Sequence, residues 1–494
     1  MTLGTLIVII AALAFMLTLV VGFLYKKHKS WLMTFLQNFT GVLFIVSGYV
    51  KAIDPLGTAY KMEQYFAELQ STLEPTAMSF LTPVFPFLSE YSESFSVFMI
   101  ILEIVVGTML ILGHRSKLTS WIFLIIVAFF TFLTGFTYLT GYVPDGVNFF
   151  SFGQWGDYNE LQMKVTDCGC FGDFLKLEPK ISFIKDLVLL LPALYFVFRH
   201  NNMHELFSEK TRRISLVILT GLLIIYCFGN FYWNIPHADF RPFKEGVSIR
   251  DQKAQEEEAE ANIQIISYTL KNKLTGKFVE LPFDQYLKEY KSYPKTDWDI
   301  VDQKRTEPAI PKTKISDFII YDLEDSDATE PILNEESAFF MFVCHEVYYE
   351  NSRMEMVEQI DSILEIDTLI DEAGDTSFHE RYVVQPEEVE TVVYEWDPSY
   401  VQRFTDVINP LVEEAAKSGV NSIAVFGGAD QKMLESLRRA ANLKFRMYTA
   451  DDILLKTIVR SNPGVVLLRD GRILQKWHYK RVPDFAEIKD EYLQ

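Results

Sequence analysis

Cys168 and Cys170 flank a single glycine in Asp167-Cys168-Gly169-Cys170-Phe171-Gly172-Asp173, so two of the four cysteines fall within three residues. Thiols this close can cycle between dithiol and disulfide, form a static staple, or share one soft metal ion. A metal site needs more ligands than two thiolates. No histidine lies nearby in the sequence, and Asp167 and Asp173 add little, so no metal is expected. Compartment decides between the other two, because disulfides persist only where the surroundings are oxidising.

Glu103 is the second residue with chemical promise. It sits in the middle of Phe98-Met99-Ile100-Ile101-Leu102-Glu103-Ile104-Val105-Val106-Gly107. A carboxylate inside such a stretch is costly in a membrane unless it is protonated or paired. It reads either as a proton-handling or ligand-contacting group, or as a structural hydrogen bond to a neighbouring helix. Gly107 and Gly113 on the same helix can allow close helix contact. Lys51 and Asp54 are spaced to pair across one turn, and Pro55 and Gly57 then end the helix. Cys227 lies in an apolar segment and reads as a small apolar residue. Cys344 follows an apolar run in Val343-Cys344-His345-Glu346-Val347 and reads as a buried strand end or as a reactive thiol. His345 would lower its pKa, but adjacent strand residues point to opposite faces.

The elements that must position these residues fall into two halves. Residues 1–234 carry a net charge of −1, and the remainder carries −19 of the total −20. So acidic a tail repels nucleic acid and anionic lipid surfaces, and its charge serves solubility. Six stretches are long enough to span a bilayer: 3–25, 33–50, 95–113, 118–141, 181–198 and 214–233. The first has its basic residues (Lys26, Lys27, Lys29) after the apolar run. That order is the reverse of a signal peptide's, so an uncleaved helix is expected. The short basic loops at 26–29, 114–117 and 199–213 all fall on one side of a six-helix arrangement, which the positive-inside rule makes cytoplasmic. The N-terminus, loops 51–94 and 142–180, and everything after 234 then lie outside, with the Cys-Gly-Cys pair on the outer face. Residues 61–69 read as an amphipathic helix along that surface. The aromatics Tyr142, Phe149, Phe150, Phe152, Trp155 and Tyr158 read as interface anchors, with a quinone or lipid pocket as the alternative.

After an acidic exit linker at 235–262 come short strands at 263–314. From 315 the pattern alternates β and α, which implies an α/β core. Strands are expected at 315–321, 338–344, 422–426 and 445–448, and helices at 348–365, 430–442 and 451–460. A hairpin at 465–477 turns on Asp470-Gly471, and a closing helix starts at 484.

The membrane half resembles the DoxX/MauE group of small helical bundles. The resemblance rests on Ser47-Gly48-Tyr49-Val50-Lys51-Ala52-Ile53-Asp54-Pro55, on Leu102-Glu103-Ile104-Val105-Val106-Gly107 and on Cys168-Gly169-Cys170-Phe171-Gly172-Asp173, and it covers about residues 33–200. It implies an inner-membrane four-helix core. MauE is associated with maturation of the disulfide-rich methylamine dehydrogenase, and DoxX-type proteins with quinone-linked or sulfur chemistry. The tail resembles the second half of the thioredoxin fold, where a cis-proline precedes a strand and a hairpin. Pro463 in Ser461-Asn462-Pro463-Gly464 matches that position. It departs from that fold at the active site, where no second cysteine follows Cys344 and dithiol exchange has no resolving thiol. The layout looks like Bacteroidota proteins that fuse a DoxX bundle to a degenerate thioredoxin-like tail. The resemblance thus implies an N-terminal helix and loop (1–32), a four-helix membrane domain (33–200), a sixth helix and linker (201–262), a β-rich connector (263–314) and a thioredoxin-like periplasmic domain (315–494).

Two functions follow. In one, Cys168 and Cys170 cycle on the outer face, a quinone accepts electrons, Glu103 manages protons, and the region of Cys344 and Pro463 receives a periplasmic client. In the other, the protein is a non-catalytic assembly subunit whose outer domain binds a periplasmic partner. Both place the chain in a bacterial inner membrane, in contact with lipid and not with nucleic acid. Single cysteines introduced at Arg115 and Arg250 test the topology. We expect an impermeant reagent applied from outside to label position 250 and spare position 115. The opposite pattern contradicts the arrangement.

Overall fold

A computed structural model describes residues 2–159, 162–165, 169–370 and 376–493. The chain divides into two units, Met1–Arg241 and Pro242–Gln494.

The first unit is helical: α1 (Leu3–Leu19), α2 (Trp31–Ile53), α3 (Pro55–Leu73), α4 (Val84–Glu90), α5 (Ser92–Leu112), α6 (Ser116–Thr140), α7 (Pro179–Arg199) and α8 (Glu209–Phe228). Six of the described helices, α1, α2 and α5 to α8, are long and apolar enough to cross a membrane. They coincide with the six stretches read from the sequence. The amphipathic segment expected at 61–69 belongs to the longer α3. Its start is set by Asp54, whose Oδ1 accepts from the Gly57 N–H at 3.1 Å, and by Pro55 at the first helical position.

Glycines set the spacing of α2 and α5. A Cβ on Gly107 would lie 2.7 Å from the Gly41 carbonyl oxygen, and one on Gly48 would lie 2.5 Å from Ile104 Cγ1. The two backbones therefore approach as only small residues permit. Gly113 plays a different part from the helix contact expected of it. It ends α5 in the left-handed region at φ 65°, and a Cβ there would collide with the His204 carbonyl oxygen. Around this seam Phe44, Phe123 and Phe196 pack as a buried cluster of tilted rings.

The second unit holds two sheets and a long hairpin. β1 (Ile265–Asn272), β2 (Phe278–Pro282) and β3 (Trp298–Arg305) form an antiparallel sheet in the order β2-β1-β3. The central sheet contains β4 (Phe339–Cys344), β7 (Asn421–Gly427), β8 (Arg446–Ala450), β9 (Gly464–Arg469) and β10 (Arg472–His478), in the order β10-β9-β4-β7-β8. β4, β7 and β8 run parallel, while β9 and β10 are antiparallel to their neighbours. β4 is buried at every position, as a central strand covered on both faces must be. The helices of this unit are α9 (Ile249–Ala261), α10 (Phe283–Glu289), α11 (Thr329–Leu333), α12 (Pro398–Arg403), α13 (Asn409–Lys417), α14 (Gln431–Ala441), α15 (Asp452–Ile458) and α16 (Phe485–Tyr492). The Asn462–Pro463 peptide bond is cis.

Two expectations fail here. Residues 348–365 are not a helix. Residues 349–365 lie in β5 (Tyr349–Ile370), which pairs antiparallel with β6 (Thr376–Trp396). The partner strand is rich in β-branched and aromatic residues, such as Val383, Val384, Val389, Val392 and Val393, and cross-strand pairing overrides the local propensity of β5. Residues 315–321 are not a strand either. Glu256 on α9 accepts from the Thr313 N–H at 2.9 Å and the Ser316 hydroxyl at 2.5 Å, which curls the segment into a turn. Ile315, Phe318 and Ile320 are buried there without ladder partners, and only Tyr321 bridges to Asp327 and Thr449.

Candidate functional site

The glycine seam between α2 and α5 has a direct chemical consequence. Lys51 lies three residues past Gly48 on α2, and Glu103 lies four residues before Gly107 on α5, so both face the same contact. Their side chains form a salt bridge, with only 7% and 4% of each exposed. Lys51 Nζ also lies 5.0 Å from the centre of the Phe130 ring on α6. Lys51 thus reaches across to α5 rather than along its own chain to Asp54, which caps α3. The intramembrane carboxylate is matched by an intramembrane cation.

A second buried pair lies opposite. Lys185 Nζ and Asp186 Oδ1 of α7 are bonded, and Thr134 on α6 donates to Asp186 Oδ2 at 3.0 Å. Asp186 is 2% exposed, so its charge depends on these partners. Both pairs border one cavity of ≈ 70 Å³, and Cys170 lies on its wall. The Cys170 backbone is tied down by the Ser47 hydroxyl of α2, which donates to its carbonyl oxygen at 2.8 Å. Gly169 before it is in the left-handed region at φ 61°, which turns the chain back toward the bundle.

The electrostatics follow from the packing. Burial pushes the Cys170 thiol above its ordinary range. The Lys185 ammonium pulls it back, and Asp186, Lys51 and Glu103 also act on it. One half-buried thiol therefore faces two cations and two carboxylates. Burial thus disfavours the Cys170 thiolate, and the Lys185 cation opposes that effect.

Of the residues singled out in the sequence, the structure brings Glu103 and Cys170 to one cavity. Cys168 lies outside the described residues. Cys344 and Pro463 belong to the second unit. Cys344 ends β4, fully buried, and burial raises its thiol far above the ordinary range. His345 beside it is buried too, and burial, aided by Lys456, Arg460 and Arg403, lowers its pKa to about 3. It is neutral at physiological pH and lends the thiol no charge. Ser47, Thr134, Lys185 and Asp186 were not marked by residue type alone. The adjacent charges of Lys185-Asp186 inside an otherwise apolar span are the signal that could have found them.

Residues 29–145 match the protein family described as Methylamine utilisation protein MauE. The matched stretch is about a quarter of the 494 residues and runs from α2 through α6, so it includes Lys51, Glu103 and Thr134. No curated protein matches the chain. No solved structure matches it.

The Lys51–Glu103 pair yields a double-mutant prediction. Lys51→Met or Glu103→Leu alone leaves a buried charge without its partner and should cost about 3–5 kcal/mol. The double variant should recover most of that loss. Thermal unfolding of the purified protein in detergent gives the comparison. Additive losses would mean that the two side chains do not act as a pair.

Proposed function

We propose that the membrane unit is a thiol redox centre of an inner-membrane protein, working on the outer face through Cys168 and Cys170. The observation that supports this is the meeting of Cys170 with two buried ion pairs at one cavity. A staple needs no such surroundings. A thiol that must gain and lose a proton does need them, because inside an apolar bundle the charge change must be absorbed nearby.

In this reading a client dithiol reduces the Cys168–Cys170 disulfide by exchange. The client's two thiols become a disulfide, and the pair becomes a dithiol. The pair would then return to the disulfide by giving two electrons and two protons to a quinone acceptor. Lys51–Glu103 and Lys185–Asp186 hold the local charge balance while the thiol protons move. The MauE family stretch supports a membrane role of the redox or assembly kind. We further propose that the second unit is a thioredoxin-like domain facing the periplasm. Its sheet order, with three parallel strands followed by an antiparallel hairpin and the cis bond before β9, supports that reading. Buried Cys344 suits a domain that receives a client or partner protein without doing exchange chemistry itself.

Thiol trapping of Cys168 and Cys170 in growing cells tests the redox reading. We expect a mixture of oxidised and reduced pair that becomes more reduced when quinone supply is limited. A fully oxidised pair that ignores quinone supply would instead make the protein an assembly subunit with a static disulfide.

A further inference from the structure

Arg403, the last residue of α12, is held among three tyrosine rings. Its guanidinium carbon lies 5.4 Å from the ring centre of Tyr348, 5.5 Å from that of Tyr400 and 5.3 Å from that of Tyr479. Its Nη1 donates to the Asn462 carbonyl oxygen at 2.6 Å. Asn462 in turn donates from Nδ2 to the Glu346 carbonyl oxygen at 2.7 Å, which ties the loop before β9 to the loop after β4. Tyr400 is fully buried and meets Tyr348 edge to face, so the cage itself is fixed.

A guanidinium carries five N–H donors. Among the described residues, the Asn462 carbonyl is the one hydrogen-bond acceptor that Arg403 uses. The side chain is half-buried, so its remaining donors reach solvent. A planar cation already immobilised on aromatic faces loses little freedom when an anion docks on its open edge.

The neighbouring charges narrow the choice of anion. Arg460 is buried and donates to the Lys456 carbonyl, and Lys456 pairs with Asp452 at 3.4 Å. Lys480 is exposed and stands 5.5 Å from the Tyr479 ring. The Glu346 carboxylate, at the rim, accepts from the Tyr348 hydroxyl at 3.2 Å. One fixed fork suits a single negative charge that takes two parallel N–H bonds. Arg403 already stabilises the nearby Asp397 carboxylate, so the positive charge it offers suits a monoanion rather than a phosphate dianion.

We propose that Arg403 anchors a carboxylate-binding site on the second unit, which takes the chain end or an acidic side chain of an incoming peptide segment. The inference rests on the docking role of this unit and is independent of redox chemistry in the bundle. A purely structural Arg403 would only latch Asn462 in place and would show no preference among ligands.

The test uses the full chain in detergent micelles, with Cys168 and Cys170 changed to serine so that redox turnover plays no part. Fluorescence anisotropy follows three labelled hexapeptides of one uncharged sequence. The first has a free C-terminal carboxylate. The second is amidated with one internal glutamate, and the third is amidated and neutral. We expect at least one carboxylate peptide to bind about tenfold more tightly than the neutral one, the size of one charge-assisted contact. Which of the two binds identifies the source of the carboxylate. Arg403→Gln should erase the preference, and Arg403→Lys should weaken it. Equal binding of all three peptides, no saturable binding by either carboxylate peptide, or a preference that survives Arg403→Gln overturns the proposal. Should Arg403→Gln fail to fold, an unchanged preference in Arg403→Lys overturns it.

Discussion

The salt bridge between Lys51 and Glu103 is the interaction on which the membrane unit depends. Two charges buried in an apolar bundle are tolerable only together. Their meeting requires α2 and α5 to lie close, and that closeness requires Gly41, Gly48 and Gly107. Once the seam is fixed, Phe130 closes over the lysine and Ser47 reaches the Cys170 carbonyl. The position of the thiol is thus a consequence of helix packing two elements away. Lys185–Asp186 repeats the arrangement on α7, with Thr134 as its support. The same low dielectric that makes an unpaired charge costly also lets these charges act on Cys170, below the larger effect of burial.

The spans were legible because length and apolarity alone decide them. Six stretches of the sequence and six described helices coincide. The site was half legible. Glu103 stood out as an acid inside an apolar run. Its partner did not, because Lys51 sits beside Asp54 and the local spacing rule offers a nearer mate. The true pairing depends on a helix contact fifty residues away in sequence, which no local rule can see. Lys185 and Asp186 pair with each other on α7, and their trace in the sequence is two adjacent charges inside a segment otherwise apolar enough to be read as a plain span.

In the second unit, strands with continuous apolar runs, such as β4, β7 and β9, were read correctly. Errors fell where tertiary pairing overrides local preference. β5 carries a helix-compatible sequence but is recruited by β6. The buried 315–320 segment has a strand's apolarity, but its polar residues answer to Glu256. Between α12 and α13 the π turn Phe404–Ile408 shifts the helical phase, so the segment shows no single period. Arg403 sits just before that turn, where a reading by periodicity has least to say.

Burial sets the Cys170 thiol high, and the charges of the two ion pairs act on it from there. The most direct measurement is the pH dependence of its alkylation rate in a Cys168→Ser background, read by mass spectrometry of the peptide that holds Cys170. The account predicts a midpoint above the ordinary thiol value of about 8.5. It predicts a further rise in Lys185→Met, where the cation that opposes burial is gone, and a return toward the parent profile in Lys185→Arg. Superimposable profiles for the parent and Lys185→Met would contradict it, because the thiol would then be indifferent to the charges around it.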